Sequence, residues 1–274
     1  MSHSLENILQ AIPDADLMLP ARGAEPLCPV VVTLDGRSDR WQRIQSSLAR
    51  AGIRDVVKFR AVHGSAISDD TRDALIDPDS DIDAAPRSHL ALTRPAAGCF
   101  LSHLQIWKQF LLLDAERGAE QLVVLEDDAS PAAGYGPAQA RAIVSSLPAN
   151  ADLVLLGCSI MGDLAADAES GPLKRVFYFN GTYAYLLTRR GCLNLLPYLV
   201  PMRAHIDHQI SAALIKNPDS LFAYAATPTL FDHDWSTRSD AYVPLDEPEA
   251  ADEELGALIE SARQALRHSG AGLP

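Results

Sequence analysis

The chain has 274 residues, of which 47% are hydrophobic and 22% are charged, with 18 prolines and 16 glycines. This composition excludes an intrinsically disordered, collagen-like or coiled-coil protein, and predicts one folded domain with a decorated C-terminal part. The 23 Lys and Arg against 36 Asp and Glu give a net charge of −13, which argues against nucleic acid as a partner because the surface repels polyanions.

The first third of the chain predicts a βαβ unit preceded by an irregular segment. Residues 1–27 contain short apolar pieces broken by Pro and Gly, and are predicted to form an N-terminal arm outside the core. The β-branched run at 29–34 predicts a buried strand, and Ser38 is expected to cap a helix that stops at Gly52. A second strand is predicted at 56–62. The strand–helix–strand order is typical of an α/β fold.

The next segment, residues 65–95, is rich in Asp and poor in large apolar residues, and is predicted to be a polar excursion that could act as a lid. Its aspartates lack the DxDxDG spacing and closing Glu of a calcium loop, so a solvated loop is the favoured interpretation.

Regular structure is predicted to resume at residue 98. Apolar spacing at i, i+3, i+4 and i+7 predicts a mostly buried helix over 98–112. Three further strands are predicted, at 121–125, 152–156 and 181–187, followed by a helix at 190–198. Residues 28–244 would then form the main domain, and 245–274 a C-terminal helical appendage. Alternating helices and apolar strands predict a doubly wound, mostly parallel, Rossmann-like sheet whose ligand site lies at the carboxyl ends of the strands.

The cysteine spacing and the hydropathy profile indicate the cellular compartment of the protein. Four cysteines lie far apart without a CxxC pair, which favours neither a zinc ribbon nor a disulfide-dense secreted scaffold. No basic segment followed by an apolar stretch opens the chain, and no run approaches the ~18–20 apolar residues that span a bilayer. We therefore expect a cytoplasmic protein without a transmembrane segment.

Three consecutive carboxylates, Glu126, Asp127 and Asp128, follow the apolar strand at 121–125. Adjacent carboxylates repel one another, so they need a cation or hydrogen-bond donors, and hard oxygen ligands suit Mg²⁺ or Mn²⁺. A solvated acidic turn at a helix N-terminus is the alternative that the three residues alone leave open.

Arginines follow the first predicted strand, at the sheet edge where the carboxylates are expected. The forked guanidinium groups of Arg37 and Arg40 suit phosphate. Without a neighbouring metal site, Arg37, Arg40 and Arg43 would form an ordinary basic helix face. The chain contains no Walker loop and no GxGxxG, which disfavours a P-loop NTPase or a dinucleotide-dependent oxidoreductase.

Several short motifs occur in a fixed order along the chain. They are VVVTL at 30–34, RSDR at 37–40, FRAVHG at 59–64, LT at 92–93, GCFLSH at 98–103 with Trp107, LEDD at 125–128 and GTYAY at 181–185. Together they closely resemble glycosyltransferase family 25, over roughly residues 28–240. That family contains bacterial lipooligosaccharide galactosyltransferases and the collagen galactosyltransferases.

The resemblance implies a GT-A type glycosyltransferase fold, a UDP-hexose donor that is commonly UDP-galactose, Mn²⁺ or Mg²⁺, and transfer with inversion. The expected function is transfer of a hexose, galactose foremost, to a glycan, lipid-linked or other small hydroxyl acceptor, as in lipopolysaccharide biosynthesis. A lipid-linked acceptor would add peripheral contact with the inner membrane. One alternative is a catalytically inactive GT-A scaffold that binds a nucleotide sugar or a partner. Another is a metal-dependent phosphohydrolase or nuclease using the same carboxylates, although the net charge of −13 counts against a nuclease.

The resemblance also implies residue roles. Asp207 is the candidate general base, with plain helix capping as the alternative. Glu126, Asp128 and His233 are the candidate metal ligands, with Asp232 or Asp234 as substitutes for His233. The candidate donor-binding residues are Thr33, Leu34, Arg37, Arg40, Val62, His63, Gly64, Ser102, His103, Glu126, Asp127, Gly181 and Thr182. His103 could instead be a packed, hydrogen-bonded core residue.

Two segments depart from the family pattern. His63 stands where relatives carry an acidic residue before Gly64, which changes how the ribose or base would be held. The segment at 229–236 replaces one in which a glutamine is expected, and His233 lies within it.

Overall fold

The fold is described from a computed structural model in which residues 4–15, 28–86, 88–113, 120–159, 171–236, 239–241, 243 and 252–268 are described. The strands are β1 (Val30–Thr33), β2 (Val57–Arg60), β3 (Gln121–Glu126), β4 (Ala129–Pro131), β5 (Leu153–Ser159), β6 (Leu173–Val176), β7 (Asn180–Thr188), β8 (Ala223–Ala226) and β9 (Phe231–His233). The helices are α1 (Leu5–Ala11), α2 (Ser38–Arg50), α3 (Asp69–Leu75), α4 (Arg94–Leu112), α5 (Pro137–Ser145), α6 (Arg189–Leu199), α7 (Ile206–Lys216) and α8 (Asp252–His268).

Seven strands form one sheet in the order β2-β1-β3-β7-β5-β8-β6, and β4 pairs with β9 in a separate two-stranded ribbon. Strands β2, β1, β3, β5 and β8 run in one direction, while β7 and β6 run in the other. This arrangement confirms the predicted α/β class and the mostly parallel sheet.

Both faces of the sheet are covered, as expected for a doubly wound fold. Successive residues of a strand point to opposite faces, so Val30 and Val32 pack in one apolar cluster while Val31 packs in another. The first cluster includes buried residues of α4, α6 and α7, and the second includes Ile44 of α2 and Ile143 of α5. Near-continuous apolar strands such as β1 are therefore explained by burial on two sides.

The terminal helices are part of the packed structure. Ile8 and Ile12 are buried in the same cluster as α4 and α6, so the prediction that residues 1–27 form an arm outside the core is wrong for the described part. The predicted C-terminal helix is present as α8, and its Ala262 and Leu266 are buried in that cluster too. Residues 16–27, 244–251 and 269–274 lie outside the described residues.

The segment predicted to be a polar excursion, residues 65–95, is anchored to the domain. It contains α3, whose N-cap Ser68 accepts a hydrogen bond from the backbone of Thr71, and it buries Ile76 and Leu92. Ile76 bridges to Met202, ahead of α7. These buried contacts correct the prediction of a solvated loop.

The limits of α2 differ slightly from prediction. Arg37 occupies the N-cap position without a capping side-chain bond, and Ser38 is the first helical residue. Gly52 follows the helix with a φ of 85°, a conformation that glycine adopts without strain, so it ends the helix as predicted. No described helix combines the length and the apolar character needed to cross a bilayer.

Candidate active site

A cavity of about 500 Å³ lies at the carboxyl ends of β1, β2 and β3, where ligands bind in sheets of this type. Most of the predicted donor residues line it. They are Thr33, Leu34, Arg37, Arg40, Val62, His63, Gly64, Glu126 and Asp127, together with the predicted metal ligand Asp128. The motifs at the carboxyl ends of β1, β2 and β3 therefore converge on one surface.

Asp127 is held by two donors from the first βα unit. Thr33 Oγ1 donates to one carboxylate oxygen at 2.6 Å, and Arg40 Nη1 donates to the other at 2.9 Å. Burial raises the pKa of Asp127, against the opposing effect of these two donors. Arg40 is only 3% exposed, so it belongs to the carboxylate cluster and not to a solvated basic helix face.

Arg37 lies nearer the cavity mouth. Its Nη1 contacts both carboxylate oxygens of Asp240, at 2.5 and 2.6 Å, and its Nε contacts Asp39 at 3.3 Å. The guanidinium group of Arg37 at the rim is therefore shared between two carboxylates. A phosphate group could take their place as its hydrogen-bond partner.

Asp128 and His233 meet across the β4–β9 ribbon. Ala129 of β4 pairs with His233 of β9, and this register places His233 Nε2 3.4 Å from Asp128 Oδ2. Their hydrogen bond and the Asp128 charge raise the pKa of His233 above its usual 6.5. The other oxygen, Asp128 Oδ1, is buried and has no hydrogen-bond partner.

The two proposed substitutes for His233 face elsewhere. Asp232 is exposed on β9, and Asp234 pairs with Arg43 at 3.1 Å and with Ser236. Of the three neighbouring candidates, His233 is therefore the residue placed against Asp128.

Glu126 does not join Asp128 and His233 in a compact ligand set. Its Oε1 accepts a hydrogen bond from Thr182 Oγ1 at 2.6 Å and lies 3.4 Å from His103 Nε2. Among the described residues, the one cluster of three or more His, Cys, Asp or Glu ligand atoms within 4.8 Å of one another is Cys99, His103 and Glu126. Of the three predicted metal ligands, Asp128 and His233 therefore lie together, while Glu126 faces His103.

Ser102 joins helix α4 to the loop after β2. It is fully buried; its Oγ donates to Gly98 O at 2.7 Å and accepts from Val62 N at 2.8 Å. Ser102 thus positions Val62 beside the cavity but does not line it, which corrects its predicted contact with the donor.

His103 is also fully buried, as the core alternative expected. Its Nδ1 lies 2.8 Å from Tyr185 Oη, which in turn accepts a hydrogen bond from Trp107 Nε1 at 2.9 Å. The side chain does not line the cavity, and its Nε2 points to Glu126 instead. The predicted contact between His103 and the donor is therefore corrected.

Asp207 lies in the first turn of α7 and is 7% exposed. One carboxylate oxygen accepts from Gly181 N at 2.7 Å, and the other accepts from His208 N at 2.9 Å. Gly181 has a φ of 86°, so Asp207 holds a turn that favours glycine. The bond joins two predicted site residues, and each carboxylate oxygen keeps a second lone pair for another donor.

Among the residues that line the cavity, sequence reasoning missed three with ionisable side chains: Arg94, Cys99 and Asp240. Cys99 could have been found, because it lies four residues before His103 on a helix and such residues share a face. Burial, and then the charges of Glu126 and Asp207, raise the pKa of Cys99 well above its usual value. Asp240 follows no motif, and only the tertiary structure brings it to Arg37.

His205, just ahead of α7, gives a pH-dependent prediction. Burial lowers its pKa below the usual 6.5, against the charge of Asp207. The unfolded chain therefore binds a proton at His205 more readily than the folded chain does. Protonation of His205 in the unfolded state then lowers the unfolding free energy as the pH falls below 6.5, and has no effect well above that pH. We expect the loss of unfolding free energy between about pH 7.5 and about pH 5.5 to be smaller in His205→Gln than in the wild type. Urea denaturation measures it, and an unchanged loss would contradict the assignment.

Comparison with known proteins identifies relatives for this arrangement. Residues 29–132 match the model of Glycosyltransferase family 25 (LPS biosynthesis protein), which spans β1 to the end of β4. A curated relative, a "Glycosyltransferase 25 family member" of Drosophila pseudoobscura pseudoobscura, is 27% identical over 180 residues, which cover 61% of this chain. Both matches show that part of this chain is similar to glycosyltransferase family 25. This chain spans only about a quarter (26%) of the length of that relative.

Solved structures similar to this chain include three proteins of low identity. They are an apo UDP-glucose pyrophosphorylase (12% identity, TM-score 0.31, 60% of each chain), the inositol-1-phosphate CTP transferase from T. maritima (12%, 0.35, 87% of this chain and 78% of that one) and a mannose-1-phosphate geranyltransferase from Thermus thermophilus (11%, 0.32, 72% of each).

Proposed function

We propose that this chain is a metal-dependent, inverting glycosyltransferase that moves a hexose, galactose foremost, from a UDP-sugar to a hydroxyl group of an acceptor. The observation that carries the proposal is the buried, unpartnered Oδ1 of Asp128 beside a cavity lined by the family 25 motifs. A buried carboxylate oxygen without a donor is costly, and a bound cation would remove that cost. The matched description names LPS biosynthesis, so the proposed acceptors are glycans, lipid-linked or free.

Asp128 and His233 fit a divalent cation. Oδ1 of Asp128 is free of hydrogen bonds, and His233 Nε2 lies 3.4 Å from the other oxygen of the same carboxylate. Oxygen and imidazole ligands suit Mn²⁺, with Mg²⁺ as the harder alternative. When bound, the cation would offset the negative charge that develops on the leaving nucleoside diphosphate.

The charges at the cavity also favour a cation. Its lining includes four carboxylates (Glu126, Asp127, Asp128 and Asp240) against three arginines (Arg37, Arg40 and Arg94). Arg94 already pairs with Asp83 outside the cavity lining. A diphosphate group would add further negative charge, so the arginines alone would leave the site with uncompensated carboxylates.

The chain's own residues would divide the work as follows. Arg37 would exchange Asp240 for a phosphate oxygen at the rim, while Val62, His63 and Gly64 border the nucleoside. Asp127, held by Thr33 and Arg40, keeps the end of β3 in place. Asp207 would accept the proton of the acceptor hydroxyl as the new glycosidic bond forms and the bond to UDP breaks.

A ligand screen tests this proposal. We expect one UDP-sugar, UDP-galactose foremost, to raise the stability of the protein in the presence of Mn²⁺, in thermal-shift and calorimetric titrations against UDP-, GDP-, CMP- and dTDP-sugars. A ligand at a hundredfold excess over its Kd stabilises the native state by ~2.7 kcal/mol. Silence across the panel would refute the donor assignment, and binding without turnover for any acceptor would favour the inactive-scaffold alternative.

Asp207→Asn tests the general base. The amide keeps the size of the side chain but cannot take a proton, so we expect turnover to fall by about 10²–10⁴-fold. Binding of the UDP-sugar should persist within a few-fold, because Asp207 does not line the donor cavity. The measurement combines initial rates with calorimetry. An Asn variant of wild-type activity would leave Asp207 only its contacts to Gly181 and His208.

The cytoplasmic location expected from the sequence stays part of this proposal. It would place the protein beside its nucleotide-sugar donor, with any contact to the inner membrane made through a lipid-linked acceptor.

A further inference from the structure

Cys99, His103 and Glu126 form a cluster of ligand atoms, and the proposed transfer reaction gives neither Cys99 nor His103 a role. Cys99 and His103 lie one turn apart on α4, and Glu126 ends β3. We propose that this cluster is a second metal site, selective for Zn²⁺ and separate from the Asp128–His233 pair. The ligand atoms of the three side chains lie within 4.8 Å of one another.

The orientation of His103 points to a ligand between these side chains. The residue is fully buried, and its Nε2 has no hydrogen-bond partner while it faces Glu126 Oε1 at 3.4 Å. Two ligand atoms that each lie 2.0–2.1 Å from a tetrahedral metal ion are about 3.3 Å apart, which is close to the distance between His103 Nε2 and Glu126 Oε1. The distance is therefore longer than a good hydrogen bond and suited to a shared cation.

Cys99 needs only a small adjustment to complete the set. Tetrahedral zinc with a sulfur at about 2.3 Å and a nitrogen at about 2.0 Å places the two ligand atoms about 3.5 Å apart. Since the thiol sulfur already lies within 4.8 Å of both other ligand atoms, it would close by no more than about 1.3 Å.

A second layer of contacts fixes the His103 ring. Nδ1 lies 2.8 Å from Tyr185 Oη, and Trp107 Nε1 donates to the same oxygen at 2.9 Å. A metal-bound histidine commonly donates its other ring N–H to such a partner, which leaves the facing nitrogen free to coordinate. The burial of Tyr185 and Trp107 makes this orientation rigid.

The donor set selects the metal. A thiolate and an imidazole favour Zn²⁺ over Mg²⁺ or Mn²⁺, which prefer oxygen ligands. Three protein ligands leave a fourth tetrahedral position, as in zinc sites that bind water or a substrate atom. Because Cys99 and Glu126 line the cavity, that position would be open to a water molecule or a ligand hydroxyl from the cavity.

Cobalt substitution tests the site without any nucleotide sugar. We expect the chelator-treated full chain to bind one equivalent of Co²⁺ with a near-ultraviolet thiolate-to-cobalt charge-transfer band, which Zn²⁺ then removes. Cys99→Ser should abolish the band and lower Zn²⁺ affinity by more than about 100-fold, since second-layer changes alone cost 10–100-fold. Tyr185→Phe should fall in that 10–100-fold range because it removes the partner of His103 Nδ1.

Two controls separate the possible outcomes. Cys28→Ser changes a partly buried cysteine at the opposite end of β1 and should keep the band. Asp128→Asn should also keep it while losing Mn²⁺-dependent donor binding, so failure of the transferase proposal would not affect this result. Glu126→Gln retains Cys99, so it should keep the thiolate-to-cobalt band but bind Co²⁺ with lower affinity. This variant tests the site independently if Cys99→Ser does not fold. A wild-type protein without the band, or a folded Cys99→Ser protein that retains it, would overturn the proposal.

Discussion

Asp128→Asn is expected to lower turnover by at least about 10²–10³-fold, the effect of removing a major electrostatic stabiliser of a transition state. The neutral amide is a weak ligand for Mn²⁺, and it would also release His233, whose pKa is raised by Asp128. Mn²⁺-dependent binding of the UDP-sugar should be lost in calorimetry, together with the activity.

The variant should still fold, because Asp128 Oδ1 makes no hydrogen bond and the substitution removes a charge beside Asp127. Oδ2 loses its charged contacts with His233 and Arg40, so we expect the melting temperature to fall by no more than about 4–8 °C. Asp219→Asn is the matched control, since it removes an exposed carboxylate from the turn before β8, at the other edge of the sheet. A variant at position 128 with wild-type Mn²⁺ affinity would remove Asp128 from the metal site.

The parts of the fold that were predictable have strong local patterns. Strand β1 and helix α4 follow from a β-branched run and from apolar spacing, and their bounds differ from prediction by a few residues. The ribbon of β4 and β9 was missed because each strand has three residues, too few for a periodic pattern. Burial of Ile8 was missed because the short α1 is stabilised by contacts with the domain.

The site was predictable where its residues follow the ends of neighbouring strands. Thr33, His63 and Asp128 reach one cavity because β1, β2 and β3 are adjacent and parallel. The roles of individual atoms were less predictable. Whether Asp127 or Asp128 has a free oxygen depends on where Arg40 and Thr33 point, which no spacing along the chain reveals.

The role of His103 could not be predicted from the sequence either. Its place in the GCFLSH motif suggested contact with the donor, but Tyr185, which is 82 residues away, holds the ring in the core. The family resemblance assigned Glu126 to the metal together with Asp128. The strand's alternation turns Glu126 toward α4, and the following turn sends Asp128 toward β9.

A large effect on stability and donor binding is also expected from substitution of Gly98, the glycine of the GCFLSH motif. Gly98 lies in α4 where the helix meets the loop after β2, and a Cβ there would be 2.6 Å from Val62 O and 2.7 Å from Gly64 N. Both are backbone atoms, so the loop must move, which stretches the bond from Val62 N to Ser102. We expect Gly98→Ala to lower the unfolding free energy by ~1–3 kcal/mol, as overpacking does, and to weaken donor binding through Val62 and Gly64.

Gly256→Ala is the control for the same substitution, and we expect it to raise the unfolding free energy where Gly98→Ala lowers it. Gly256 also lies in a helix, α8, but a Cβ there meets no atom within 4 Å. Alanine should therefore raise the unfolding free energy by ~0.8–1.0 kcal/mol through helix propensity alone. Urea denaturation of both variants compares the two, and calorimetry with the UDP-sugar follows binding. If Gly98→Ala were as stable as Gly256→Ala, the close approach of α4 to the loop would not be required, and the glycine of the GCFLSH motif would need another explanation.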